Sequence, residues 1–314
     1  MHINGIDIVI PVYKPDDKFR ALLKGLAVQT VRPDKIIIMY TRRDEGDHFA
    51  PELIELAMAA GDTTVIELDR SEFDHGGTRA EAFRHSTADV IITMTMDAVP
   101  YDDSLVENLT RHMLNPTVGA AYARQMPAET SSLAERFTRN FNYPDEEICK
   151  SAGDLEQLGI KTFFCSNVCA AYRRDVYEKL GGFIKRTIFN EDMIFAHKLI
   201  MNGYKIYYES DARVIHTHDY SALQQLHRNF DLAVSQAEHP EVFEGISSES
   251  EGMKYIKQAA RFFTEKGKGY LIIPFVWNCC FKYLGYILGK NHKKLPAFMI
   301  KALAMNKGYF DKRD

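Results

Sequence analysis

The first half of the chain alternates short apolar runs with amphipathic ones. Ile6–Val12 is a β-branched run that closes on Pro11-Val-Tyr-Lys-Pro15, and Asp17–Gln29 carries Phe19, Leu22, Leu23 and Leu26 at helical spacing. Lys35–Tyr40 predicts a second strand, Pro51–Ala60 a helix opened by proline, and Thr63–Leu68 a third strand. Thr78–His85 predicts a short helix and Asp89–Met96 a fourth strand. Strands alternating with helices imply an α/β protein whose parallel sheet is wound with helices. The fourth run is nearly all Val, Ile and Met, the pattern of a strand covered on both faces. It ends on Asp97, and Ala98, Val99 and Pro100 stop the strand there. Ligands of open α/β sheets bind at the carboxyl ends of strands. Asp97 therefore reads as an acid facing a ligand, with a hard metal ion as partner, or as the cap of a turn.

The second half is less regular. Val118–Arg124 predicts a strand, Ser131–Phe141 a helix, and residues 142–161 a loop with a short helical turn. Phe163–Arg173 is a strand-like run holding two polar residues, Ser166 and Asn167, that either contact a sugar or satisfy backbone groups. Asp175–Leu180 predicts a short helix stopped by Gly181 and Gly182. In Phe189–Met201 the apolar positions Met193, Ile194, His197, Ile200 and Met201 share one helical face. Glu191 and Asp192 then occupy the first turn, where the helix dipole favours acids. One of them aimed into a cleft would serve as a general base. Lys205–Ile215 predicts a strand ending in His216-Thr-His218, and strand alternation puts both histidines on one face. Neutral imidazole is a common metal ligand, so the pair with Asp97 would suit Mn²⁺ or Mg²⁺.

Between the third and fourth strands lies Phe73-Asp-His-Gly-Gly-Thr-Arg-Ala-Glu81. Thr78 and Glu81 read as a capping box that starts a helix. Arg79 in the first turn opposes the helix dipole. A diphosphate held at that N-terminus would justify it; a glycine turn with a surface arginine is the plainer alternative.

Composition narrows the class. The 314 residues are 46% hydrophobic and 26% charged, ordinary for a globular protein, and suffice for one large α/β domain plus an appendage. No Gly-x-Gly-x-x-Gly follows the first strand and no Gly-Lys-Ser/Thr occurs, which argues against dinucleotide oxidoreductases and P-loop ATPases. The five cysteines, Cys149, Cys165, Cys169, Cys279 and Cys280, are odd in number and form no CxxC pair, as expected of a reduced, cytoplasmic compartment. The N-terminus reads straight into a strand without the pattern of a signal peptide.

Charge divides the chain. From Lys254 onward thirteen basic residues face three acidic ones, a net +10 against −14 for residues 1–253. A basic tail on an acidic body suggests an anionic partner for the tail alone. The tail holds Tyr270–Leu288, rich in aromatic and aliphatic residues but interrupted by Pro274, Asn278 and Lys282. Asn278, Lys282, Gly285 and Gly289 form a narrow polar stripe, and Lys290, Lys293 and Lys294 follow. This suits an interfacial helix on anionic lipid rather than a spanning one. The alternative is a helical subdomain packed on the main domain or on a second subunit. The expected division is residues 1–235 as the catalytic domain and 236–314 as a basic helical region.

The ordered set Ile10-Pro-Val-Tyr13, His75-Gly-Gly-Thr-Arg79, Thr95-Met-Asp97-Ala98, Asn190-Glu-Asp192 and His216-Thr-His218 resembles the family 2 glycosyltransferases of the GT-A fold. More narrowly, it resembles bacterial rhamnosyltransferases of cell-wall and O-antigen polysaccharide assembly. The resemblance covers residues 5 to about 220, and Lys282–Lys290 is similar too. It implies a Rossmann-like mixed sheet flanked by helices, with a C-terminal helical appendage. It also implies inverting transfer of L-rhamnose from dTDP-L-rhamnose to a saccharide acceptor, lipid-linked or free. A UDP-hexose donor, or a non-catalytic sugar-nucleotide-binding partner of an assembly complex, are the alternatives. By the same resemblance Asp192 is the base, with Glu191 the second choice. Pro11, Val12 and Tyr13 line the nucleobase pocket near Thr41 and Asp44, and Arg79, Met96 and Asp97 meet the nucleotide-sugar. No second Asp follows Asp97, so His216 or His218 becomes the second metal ligand. The implied partners are the nucleotide-sugar, the acceptor, the cytoplasmic face of a membrane and a second copy of the chain, with no nucleic acid.

Overall fold

The computed structural model describes residues 3–244 and 249–311. Met1, His2 and the last residues of the basic tail, Lys312, Arg313 and Asp314, lie outside them. In chain order the first elements are β1 (Ile6–Val12), α1 (Asp17–Ala27), β2 (Lys35–Thr41), α2 (Pro51–Met58), β3 (Asp62–Leu68), α3 (His75–Arg84), β4 (Val90–Met94) and β5 (Val99–Pro100). Then come α4 (Leu105–Thr110), β6 (Val118–Met126), α5 (Leu133–Asn142), β7 (Ile148–Lys150), α6 (Leu155–Leu158), β8 (Cys169–Arg173), α7 (Arg174–Lys179), α8 (Glu191–Met201) and β9 (Lys205–Ile215). The chain ends in α9 (Ala222–Glu238), α10 (Pro240–Phe243), α11 (Glu249–Glu265), α12 (Ile272–Lys290), α13 (Ala297–Leu303) and α14 (Gly308–Asp311). Two compact units form. The first comprises Met1–Ala128, Tyr143–Arg186 and Glu191–His216, and the second Glu129–Asn142, Thr187–Asn190 and Thr217–Asp314.

The first unit is built on a mixed sheet in the order β3-β2-β1-β4-β8-β6-β9-β5, with β7 also paired to β9. The four strands β3, β2, β1 and β4 run parallel, and β8 is antiparallel to both of its neighbours. Ile8, Val9, Ile10, Ile37 and Ile92 are buried whichever face they point to, as helix-covered parallel strands require. Asp16 caps α1 by accepting from the amides of Lys18 and Phe19, and Phe19, Leu22, Leu23 and Leu26 turn its apolar stripe onto the sheet core. Each such side chain contributes about 1.5–3 kcal/mol on burial.

Three local expectations are corrected. The fourth strand stops at Met94, turns through Thr95–Asp97, and the chain rejoins the sheet as β5, with Val99 opposite Ile215 of β9. Pro100 is tolerated because β5 is an edge strand. Helix α3 begins at His75, three residues before the expected capping box. Its cap is Asp74, which accepts from the amides of Gly76 and Gly77, while the Thr78 hydroxyl accepts from the Asp74 amide. Phe163–Val168 is not a strand. A 3₁₀ turn ends at Phe163, and the Cys169 amide closes a turn onto the Ser166 carbonyl before β8 begins.

The second unit is helical. Phe137, Phe263 and Phe275 form one core with Tyr255, and Phe230, Val234 and Ile188 form another with Ala304 and Phe310. Helix α12 packs closely on α9 because of glycine. A Cβ at Gly285 would sit 2.2 Å from the Leu226 carbonyl oxygen, and one at Gly289 2.3 Å from that of Phe230. The polar stripe read from the sequence is thus the inward face of α12. Its Lys282 ammonium lies 5.7 Å from the Tyr255 ring centre, and burial pushes its pKa down. Outward point Ile273 (79% exposed), Trp277 (61%), Tyr283 and Leu284. By length and composition the 22-residue stretch Gly269–Lys290 suffices to cross a membrane.

Candidate active site

The parallel pairing gathers the carboxyl ends of β1, β2 and β4 along one edge of the first unit. Val12 is opposite Tyr40, and Tyr13 and Thr41 are the residues that follow them in the chain. Val9 is opposite Thr93, which brings the 95–97 turn alongside Pro11–Tyr13. Thr41 is buried, Met96 is half-buried, and Asp44 is exposed with its carboxylate accepting from the Gly46 amide. Two cations flank Tyr13. The Lys14 ammonium is 5.3 Å and the Arg70 guanidinium 6.0 Å from its ring centre. Lys14 holds a left-handed φ of 52°, a conformation non-glycine residues keep mainly where surroundings enforce it. Sequence reasoning gave no role to Lys14 or Arg70, since it is the fold that brings Arg70 beside Tyr13.

Asp97 and His216 meet because of β5. With Val99 opposite Ile215, the last residue of β9, His216 comes next in the chain, and its Nε2 lies 3.5 Å from Asp97 Oδ2. Its other ring nitrogen, Nδ1, is 2.9 Å from the side-chain oxygen of buried Gln125. His218 follows two residues later in the chain. A carboxylate and two imidazoles suit Mn²⁺ or a similar divalent ion. The fit is also electrostatic. A carboxylate oxygen and an imidazole nitrogen at 3.5 Å repel as facing lone pairs unless a proton or cation is shared between them.

The second centre opens α8. Asn190, with φ of 64°, ends the preceding turn, so Glu191 and Asp192 begin the helix abruptly. Glu191 is buried. Its Oε1 lies 3.1 Å from Arg79 Nη1 and accepts at 3.1 Å from the Asn167 side-chain amide. Asp192 accepts from the backbone amides of Asn167 and Met193. The Asn167 side-chain oxygen in turn accepts from Thr93 and Tyr172 hydroxyls, which fixes it. Burial works against ionising Glu191, but Arg79, His75 and the Asn167 hydrogen bond outweigh it and hold the carboxyl below its usual range. Burial and then the Glu191 charge push Asp192 up to about 7. One carboxylate is therefore a fixed charge and its neighbour a group that exchanges protons near neutrality, the usual sign of an acid–base site.

Arg79 is itself buried, with Nη1 donating to the His75 carbonyl as well as facing Glu191. The two glycines of its motif serve close packing. A Cβ at Gly76 would fall 2.0 Å from the Ile184 carbonyl oxygen, and one at Gly77 2.7 Å from that of Lys185. The Asp74 carboxylate already occupies the first free amides of α3.

Residues 7–181 match the model of glycosyl transferase family 2. The chain belongs to that family. This glycosyltransferase is 36% identical over 310 residues to the O-antigen chain rhamnosyltransferase RfbN of Salmonella typhimurium, covering 98% of this chain and 96% of the relative. It is 32% identical over 309 residues to the O-antigen chain rhamnosyltransferase WbaN of Salmonella anatum, covering 97% and 95%. Among solved structures it resembles the mannosyltransferase PcManGT of Pyrobaculum calidifontis in complex with GDP-Man and Mn²⁺. There the TM-score is 0.56 at 17% identity, over 97% of this chain and 81% of that one. TarS of S. aureus in complex with UDP-GlcNAc follows at 0.54 and 13%, over 93% and 92%. These neighbours are GT-A glycosyltransferases, and the mixed α/β sheet expected from the sequence is the one found.

Proposed function

We propose that this glycosyltransferase moves L-rhamnose from dTDP-L-rhamnose, with inversion, onto a hydroxyl of a lipid-linked saccharide in O-antigen synthesis. The observation that carries the reading is its similarity, along almost the whole chain, to two O-antigen chain rhamnosyltransferases. Asp192 is the general base. Near neutrality its carboxylate takes the acceptor proton as the hydroxyl oxygen forms a bond to the anomeric carbon. The bond from that carbon to the diphosphate oxygen breaks, and the electron pair leaves with the nucleoside diphosphate. No covalent enzyme intermediate is required. Glu191 keeps the base proton-hungry, and Arg79 acts through Glu191.

Pro11, Val12, Tyr13, Thr41 and Asp44 would shape the nucleoside end of the donor site, and Met96 the sugar end. Lys14 and Arg70, beside Tyr13, would add positive charge toward the diphosphate. Asp97, His216 and His218 would hold a divalent cation, which when bound neutralises charge on the leaving diphosphate.

The C-terminal region would lie on the cytoplasmic face of a membrane. Helix α12 offers an apolar outer face, and exposed Lys293 and Lys294 follow it. Its inner face is committed to α9, whose His227, Arg228 and Asp231 would not enter hydrocarbon with it, which favours an interfacial position over a span.

A donor screen tests the catalytic reading. Nucleoside diphosphate release is measured across dTDP- and UDP-sugars, with and without Mn²⁺, in the presence of a lipid-linked saccharide. Turnover with dTDP-L-rhamnose above all other donors is expected. Turnover confined to a UDP-hexose overturns the donor, and none with any donor overturns catalysis.

A further inference from the structure

We infer that Gln125 is a positioning residue that fixes the His216 ring in the tautomer able to bind a metal, an inference that rests on the metal reading of Asp97, His216 and His218. Gln125 lies near the end of β6. Between Ala123 and Arg124 the β6–β9 register jumps from Glu209 to Arg213, and this bulge brings Gln125 opposite Val214, two residues before His216. The His216 amide donates to the Met126 carbonyl, which ties the backbone of the histidine to the same strand.

The side chain then sets the ring. Gln125 Nε2 donates to the Ser166 hydroxyl at 3.0 Å, and its Oε1 is the atom turned to His216 Nδ1 at 2.9 Å. An amide oxygen only accepts, so Nδ1 carries the ring proton. Nε2 is left with its lone pair directed to the side of Asp97 Oδ2. A neutral imidazole ligates a metal through the nitrogen that lacks the proton, and the partner of the other nitrogen decides which that is. Gln125 supplies that partner. A spacing rule could not have found the pair, because 91 residues separate Gln125 from His216.

Three full-length proteins test it: wild type, Gln125→Leu and Gln125→Glu. Leucine removes the acceptor. Glutamate keeps an acceptor toward Nδ1 and strengthens it. Mn²⁺ affinity, read from the electron paramagnetic resonance signal of free ion, should fall roughly 10- to 100-fold in Gln125→Leu and be retained in Gln125→Glu. Independently of any metal, ¹⁵N spectra of wild type at about pH 8, above the ordinary histidine range, should show His216 protonated at Nδ1. Equal Mn²⁺ affinity in wild type and Gln125→Leu, or a proton on Nε2 in wild type, overturns the role of Gln125 alone. Wild type that binds no Mn²⁺ overturns the metal reading and this inference with it. If Gln125→Leu does not fold, the wild-type tautomer and the Gln125→Glu affinity still decide.

Discussion

Arg79 Nη1 and Glu191 Oε1 stand 3.1 Å apart, with both side chains almost wholly withdrawn from solvent. Buried pairs of this kind are poor sources of stability, because desolvation offsets most of the attraction. Here the pair keeps a charge beside Asp192. An ionised Glu191 makes a second ionisation next to it harder, and the Asp192 carboxyl rises to about 7.

The first prediction follows from that sign. A base works as the carboxylate, whose fraction grows as pH rises through the raised pKa. The acid limb of kcat/KM should therefore fall near pH 7. In Glu191→Gln the neighbouring charge is gone, so the limb should move to lower pH. Asp192→Asn should lose roughly 10²- to 10⁴-fold in transfer while donor binding stays close to wild type. An active Asp192→Asn beside an inactive Glu191→Gln would exchange the two roles.

Removal of the proposed metal gives the second. Asp97→Asn swaps a carboxylate for a neutral amide, a weaker ligand for a hard cation. Most activity should vanish with the melting temperature little changed, and excess chelator should do the same to wild type. Undiminished turnover in chelator would end the metal role of Asp97, His216 and His218.

The third concerns packing in the His75–Arg79 motif. Gly76→Ala places a methyl 2.0 Å from the Ile184 carbonyl and 3.3 Å from Glu191 Cβ. Overpacking of this kind costs about 1–3 kcal/mol, and here it also pushes on the carboxylate pair. Gly153→Ala is the control, since the nearest atom there is 3.7 Å away. Thermal unfolding should show a drop of several degrees for Gly76→Ala and almost none for Gly153→Ala. Equal melting temperatures would show that the motif is not held by close packing.

The parallel half of the fold was legible because β1, β2 and β4 are largely apolar runs and α1 carries its apolar residues at helical spacing. Asp97, Glu191 and Asp192 were legible as acids at element ends. What the sequence hid depends on distant pairing. Val99 and Pro100 read as a strand stop, yet they form the edge strand that carries Asp97 to His216. Asn167 read as a sugar contact or a backbone partner. Its hydrogen bonds to Thr93, Tyr172, Glu191 and Asp192 reach residues between 5 and 74 positions away, which no local pattern encodes. The polar stripe of α12 was visible, but its direction was not, because glycine at 285 and 289 marks a packed helix only once α9 is known to lie there.

The last prediction concerns that outer face of α12. Ile273, Trp277, Tyr283 and Leu284 are exposed, while exposed Lys293 and Lys294 follow the helix. Each Lys or Arg near an anionic leaflet contributes about 1 kcal/mol, and salt screens that part. Insertion of Ile273 and Trp277 does not depend on charge and should resist salt. In vesicle flotation the full-length enzyme should rise with anionic vesicles at low salt and partly detach as salt increases. Lys293→Gln with Lys294→Gln should weaken binding mainly at low salt. Ile273→Ser with Trp277→Ser should weaken it at every salt concentration, and should leave the fold intact because both positions are on the surface. Transfer to a lipid-linked acceptor should slow in the second pair while transfer to a short soluble acceptor stays the same. If wild type remains in solution beside anionic vesicles and sediments as a dimer that Ile273→Ser with Trp277→Ser dissociates, the outer face of α12 is a subunit interface and the membrane reading is lost.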